Sequence, residues 1–197
     1  TNMIKDLVFI TAQPHDVYFV WQIEVQIVNF RKFGISDQMH VLVWYPDNAK
    51  LKKEGGKIDK IDMDAWIRIA KKYPEVKFFF YKDTGVDLGL YIPQLRPHIL
   101  AKHFEMYPEL SQKAIFYHDS DIIFNYLPDF ETLMKDDVNY VSDTSHYLDY
   151  DYLYRKEKQG NIPEHEAIGE LCRIGNISIE TMKSYSGNTG GAQYLLK

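Results

Sequence analysis

The chain carries one cysteine in 197 residues, Cys172. An intrachain disulfide needs two, so no covalent staple is expected, and the usage fits a reducing compartment. Beside Leu171, Cys172 reads as a small buried apolar side chain. No stretch approaches the roughly 18 apolar residues that a bilayer-spanning helix needs. The amino end, Thr1-Asn2-Met3-Ile4-Lys5, lacks the apolar core of a signal peptide. A cytoplasmic location is therefore expected unless a missing segment anchors the protein to a secretory membrane. Basic charge is also scarce: the net charge of −5 counts against a nucleic-acid partner, which recruits clustered Lys and Arg. Internal repeats and low-complexity tracts are absent, which argues against a solenoid or a disordered chain.

What is present suits an ordinary globular domain. Fifteen Tyr, eleven Phe and three Trp supply a core and stacking surfaces, and the length suggests one domain over 1–197. Leu7–Thr11 reads as a strand, with Ala12-Gln13-Pro14 as its loop. From Asp16 to Phe33, apolar residues recur at three- and four-residue steps, which predicts a helix capped near Asp16 and stopped by Gly34. Met39–Tyr45 is a second strand, the Lys- and Gly-rich 47–60 a solvated loop, Met63–Tyr73 a helix and Val76–Tyr81 a third strand. A helix over Pro93–Met106 precedes the strand at Ile115-Phe116-Tyr117. A short helix over Asp129–Lys135, a strand near Val138–Val141 and a Tyr/Asp-rich stretch at 146–154 follow. Helices near Glu164–Arg173 and Ile179–Tyr185, a sharp loop at 186–191 and a strand over Ala192–Leu196 close the chain. Strands alternating with helices predict an α/β fold with a mainly parallel sheet flanked by helices. The last strand ends at Lys197 with no helix after it, as expected of a fragment truncated at its C-terminus.

The run Ala-Ile-Phe-Tyr-His-Asp-Ser-Asp-Ile-Ile-Phe at 114–124 sets Asp119 and Asp121 between two apolar stretches. In an extended segment, positions i and i+2 point to one side, so both carboxylates should emerge together at a strand's carboxyl end. Open α/β sheets bind ligands at that edge. Two close carboxylates repel unless a cation sits between them, and a divalent ion holding a phosphate would fill that place. Hard ions such as Mn²⁺ or Mg²⁺ take carboxylate oxygens. Pleat alternation points His118 away from the pair, towards the core.

The order of elements, with hydrophobic-Asp-Ser-Asp in the middle and Asn188-Thr189-Gly190-Gly191 near the end, resembles the GT-A nucleotide-sugar glycosyltransferases with their Asp-x-Asp signature. Among them it is most similar to the glycogenin-like enzymes and the plant-type peptidyl hydroxyproline or serine glycosyltransferases. The resemblance implies a GT-A, Rossmann-like fold, a UDP-sugar donor, and transfer of a hexose or pentose to a protein or glycan hydroxyl. It implies Asp119 and Asp121 as metal ligands, with Ser120 between them at the donor. Thr11, Ala12, Gln13 and Asp83 would receive the base and ribose, and Arg96 and Lys102, with His98 a weaker candidate, the diphosphate. Asp143 and Asn188 would act on the donor sugar, with Gly190 and Gly191 allowing close backbone approach. Tyr147, Tyr150, Tyr152 and Tyr154 are candidates for an acceptor groove. The glycogenin-like enzymes take a third metal ligand, a His, from beyond the Asn-Gly loop, and this chain ends before such a position.

Two other readings share the same residues. Hydrophobic-Asp-x-Asp after a strand is also the mark of haloacid-dehalogenase-type phosphohydrolases, in which Asp119 would be the nucleophile and Asp121 the acid/base. Their motif lies in a first strand, whereas three strand–helix units precede it here. The other reading is a non-catalytic module that binds a nucleotide sugar without transferring it.

Overall fold

The structure is a computed structural model that describes residues 3–46, 63–82 and 92–197. The lysine- and glycine-rich segment 47–60 and Asp83 lie outside the described residues.

Strand β1 spans Leu7–Pro14, longer than the apolar run alone indicates. Ala12 and Gln13, expected in a loop, are strand residues like Thr11, and all three are buried. The chain tolerates two polar side chains there because they satisfy each other. Thr11 Oγ1 donates to Gln13 Oε1 at 3.0 Å, and Gln13 Nε2 donates to the Leu42 carbonyl at 2.6 Å. Helix α1 spans Val17–Lys32. Its cap is the expected one, with Asp16 Oδ1 accepting from the Tyr18 amide at 2.8 Å, and Gly34 leaves the helix with φ +68°, a conformation open to glycine.

Strand β2, Met39–Tyr45, pairs in parallel with β1. Helix α2, Asp64–Lys72, leads to β3, Lys77–Lys82, which pairs in parallel with β2. A 3-10 turn over Ile92–Gln94 precedes helix α3, Leu95–Met106. Pro97 sits in the first turn of α3, where its missing N–H has no intrahelical partner to lose. Strand β4, Ala114–Tyr117, pairs in parallel with β1, Leu7 opposite Ala114 and Ile10 opposite Tyr117. A short helix α4, Phe130–Leu133, follows, then β5 at Tyr140–Val141 and finally β6 at Tyr194–Leu196.

The fold is α/β, and its six-stranded sheet has the order β3-β2-β1-β4-β6-β5. The four strands from β3 to β4 run parallel, but the sheet as a whole is mixed. Helices cover both faces. Phe9 meets Phe30 of α1 with ring centroids 5.4 Å apart. On β2, His40 lies opposite Ile10, the next residue and so the other face, and meets His103 of α3.

The chain divides into two compact units, one of residues 1–139 with 195–197 and one of residues 140–194. The second unit is largely helical. Its Tyr/Asp-rich stretch, unassigned by periodicity, folds as α5, Ser145–Leu148, and α6, Tyr150–Gln159. Asp149 caps α6 by accepting from the Tyr152 amide at 2.7 Å. Helices α7, Glu166–Ile174, and α8, Ile179–Ser184, complete it. The Glu157 carboxylate, buried to 2% exposure, accepts from the His165 and Ile168 amides at 3.0 and 2.7 Å. It thereby satisfies the orphan donors that begin α7.

Candidate functional site

The acidic pair lies in a turn. Strand β4 stops at Tyr117, and Ser120 and Asp121 are turn residues, so the pair is not carried by an extended segment as its spacing suggested. The turn is fixed at both ends by rings. His118 is fully buried against Phe9, Phe30 and Phe116, and Phe124 stacks on Phe30 at 5.2 Å. Between these anchors, two amide side chains of α1 hold the backbone and a third holds the Ser120 side chain. Gln26 Nε2 donates to the carbonyls of Asp119 and Ile122 at 3.1 and 3.0 Å. Asn29 both donates to the Phe124 carbonyl and accepts from its amide, each at 2.9 Å. Ser120 is buried, and its Oγ donates to Gln22 Oε1 at 2.6 Å.

Gln22, Gln26 and Asn29 recur at four- and three-residue steps, which puts them on one face of α1. Sequence reasoning passed over all three. Their signal was available: amides embedded in the same helical face as Ile23, Ile27 and Phe30, where only a partnered polar group is tolerated.

The place of this turn in the sheet follows from strand order. Outward from β1 the chain builds β2 and β3 on one side and β4 on the other. The order therefore reverses between β1 and β4, and the crevice outside the carboxyl ends at such a reversal is where open α/β sheets take ligands. Asp119 and Asp121 follow β4 directly into that position.

Asp119 is half-buried, and burial pushes its carboxyl above the usual range. The Arg96 guanidinium opposes this, and the nearby Asp121 charge adds to it. Arg96, from the first turns of α3, lies 3.3 Å from Asp119 Oδ1. Among the described residues, Arg96 is the cation paired with Asp119, and Asp121 is exposed. Among the described residues, no group of three or more His, Cys, Asp or Glu side chains is gathered as a ligand set.

The other anticipated residues are placed as follows. Thr11, Ala12 and Gln13 are closed inside β1. Lys102 stands six positions after Arg96 on α3, which turns it roughly 120° away round the axis. His98 Nε2 is enclosed with no hydrogen-bond partner among the described residues. Asp143, Asn188, Gly190 and Gly191 belong to the second unit. There, Asp143 accepts from Ser145 Oγ at 3.1 Å at the start of α5, and Asn188 is exposed at the end of a 3-10 turn over Ser186–Asn188. Gly190 is needed for space: a Cβ there would stand 2.0 Å from the Ser142 carbonyl oxygen. At Gly191 it would meet Leu148 Cδ1 at 2.2 Å.

Compared with protein-family models, with curated proteins and with solved structures, the chain matches none.

Proposed function

We propose that this protein is a metal-dependent glycosyltransferase that binds a nucleotide-sugar donor, a UDP-sugar, through its diphosphate at Asp119 and Asp121. The acceptor is a protein or glycan hydroxyl. The observation that carries this reading is the acidic pair that follows β4 at the reversal of strand order between β1 and β4. A turn anchored by the buried His118 and Ser120 and by the amides of Gln26 and Asn29 carries two carboxylates at the carboxyl edge of the sheet, with Arg96 beside Asp119.

The donor set fits Mn²⁺ or Mg²⁺ of a particular kind. Such ions bind through one or two carboxylates and complete their shell with water and substrate phosphates. Asp119 and Asp121 would be the two carboxylates of such a shell, completed by water and the diphosphate. Bound there, it supplies Lewis-acid stabilisation to the leaving phosphate. The protein's own share is positional. Gln26 and Asn29 fix the turn backbone, Ser120 ties it to Gln22, and Arg96 presents a planar cationic donor beside Asp119. That donor suits a phosphate oxygen as well as a carboxylate.

The test is a thermal-shift panel of UDP-, GDP- and CMP-sugars with and without Mn²⁺, followed by detection of released UDP in the presence of acceptors. A ligand that binds only the folded state stabilises it by about 2.7 kcal/mol at 100 times its Kd. Stabilisation by a UDP-sugar is expected only with the metal, and Asp119→Ala and Asp121→Ala should each abolish it. Undiminished metal-dependent binding in both variants refutes the assignment. Binding without any UDP release identifies a binding module instead.

A further inference from the structure

Helix α1 has two apolar faces and the fold buries one. Ile23, Ile27 and Phe30 point inward, while Val17, Tyr18, Trp21, Val25 and Val28 remain 45–60% exposed. Tyr18, Trp21, Val25 and Val28 follow a three-four-three spacing, the seam by which one helix packs on another. Tyr18 stands edge-on to Trp21 at 5.9 Å, which pre-forms an aromatic ridge at low entropic cost. Solvent gives no reason for such a stripe on a soluble surface, and contiguous exposed apolar patches mark interaction sites.

Helix α2 lies beside α1, and the two enclose a groove of about 520 Å³ with Val17, Val20, Trp21, Ala65 and Ile69 as its apolar lining and Arg68 and Lys72 on its α2 wall. Among the described residues, the carboxylates near this rim are engaged, Asp64 at the start of α2 included. Glu24, the acidic lining residue, is committed to Lys72 at 2.6 Å and to the Tyr73 hydroxyl at 2.8 Å. Glu75 is held by Arg31 at 2.5 Å, and Asp16 caps α1. Arg68, in the groove lining, and Lys71, one helical turn on, are both exposed and form a basic ridge on α2 in a chain that is acidic overall. Among the described residues, a second copy of the same face would bring no uncommitted carboxylate to that ridge.

We propose that the groove between α1 and α2 docks an amphipathic helix of a partner protein. Its apolar anchors fall at i, i+3 and i+7, and Asp or Glu lies along the flank that meets Arg68 and Lys71. The 16 residues of α1 span about 24 Å, so a partner helix of about four turns covers the stripe. Apolar insertion supplies the affinity of such helix-in-groove docking, and the charges set which helix is accepted and in which orientation. The inference is independent of the acidic pair at Asp119 and Asp121.

The chain contains its own reporter. Trp44 and Trp66 are buried at 3% and 0% exposure, whereas Trp21 is 55% exposed, so a change in tryptophan emission on docking belongs to Trp21. Two synthetic tryptophan-free helical peptides are titrated, both with leucines at the three-four spacing, one flanked by Glu and the other by Lys. The expected result is a saturable blue shift with the Glu peptide alone, weakened by raised salt. Arg68→Glu combined with Lys71→Glu should weaken the Glu peptide by roughly tenfold and admit the Lys peptide. Both positions are exposed, and an unchanged thermal midpoint confirms that the variant folds. Equal binding of the two peptides, or no saturable shift with the Glu peptide, overturns the proposal. So does a blue shift that grows with protein concentration in the absence of peptide, which would make a second copy the occupant.

Discussion

Acidifying the protein from pH 7.5 to pH 5 sets protonation against a buried imidazole pair. His40 Nδ1 lies 3.0 Å from His103 Nε2, and the Tyr81 hydroxyl lies 2.6 Å from His103 Nδ1. The rings of Phe79 and Tyr107 close over His103 at 4.5 and 4.9 Å. Burial is the main force that lowers both pKa values, to about 3 for His40 and about 4 for His103. In the unfolded chain both return to about 6.5. At pH 5 the unfolded state therefore binds nearly one proton per ring that the folded state refuses. Stability is intact above pH 6.5, falls as pH drops below it, and goes on falling towards pH 4 and pH 3. Integrating the proton difference gives about 2 kcal/mol per histidine at pH 5. That figure is insensitive to how far below 5 the folded values lie. His118, fully buried and also lowered to about 4, adds a similar amount. The three sum to about 6 kcal/mol, a large fraction of the 5–15 kcal/mol that typically holds a domain together. Asp119 acts in the opposite sense, because its raised pKa relieves a small cost as pH falls towards the carboxylate range. Urea unfolding followed by circular dichroism at several pH values between 7.5 and 5 measures the sum. His40→Phe should remove about 2 kcal/mol of the difference between pH 7.5 and pH 5, whatever it does to stability at either. A total change under 1 kcal/mol, or folded-state imidazole resonances of His40 and His103 titrating near 6.5, refutes the reasoning.

Further outcomes follow from single contacts. Gln26→Leu strips the donor from the Asp119 and Ile122 carbonyls and should cost about 2 kcal/mol. It should also speed hydrogen exchange in residues 119–124, and unchanged exchange would separate the helix from the turn. Gly190→Ala forces a Cβ against the Ser142 carbonyl and Val141, whereas Gly187→Ala meets nothing within 4 Å. The first should lower stability by at least about 3 kcal/mol and the second by well under 1, a contrast that thermal unfolding of the two proteins resolves. Glu157→Ala leaves the His165 and Ile168 amides unsatisfied in a buried place and should cost about 2–3 kcal/mol. Protease cleavage within 160–175 should appear at lower denaturant than in the parent, and identical cleavage profiles would contradict that role.

Local chemistry was enough to read much of this chain. Asp16 and Gly34 announce the two ends of α1 because capping and positive φ are properties of the residue and its neighbours. The unbroken apolar run of β2 is visible because a strand covered on both faces has no polar side to confuse the pattern. The acidic pair was legible for the same reason, as charge placed directly after a buried strand. Other features depend on partners far away in sequence. Gln13 continues the strand beyond the apolar run, paired with β2 and with its amide donating to the Leu42 carbonyl. The Tyr-rich segment around 150 is helical with Asp149 as cap, which alternation and composition did not reveal. Strand order, which reverses between β1 and β4, is a tertiary fact that no local pattern encodes. So is the polar seam of α1: Gln26 and Asn29 reach carbonyls more than ninety residues away, and a hydrogen bond across that distance exists only once the chain has closed. The sequence by itself determined which residues carry charge at the site. Tertiary structure decided that Asp119 would be half-buried with Arg96 beside it and Asp121 exposed, because desolvation and ion pairing depend on what packs around a group, not on its neighbours in the chain.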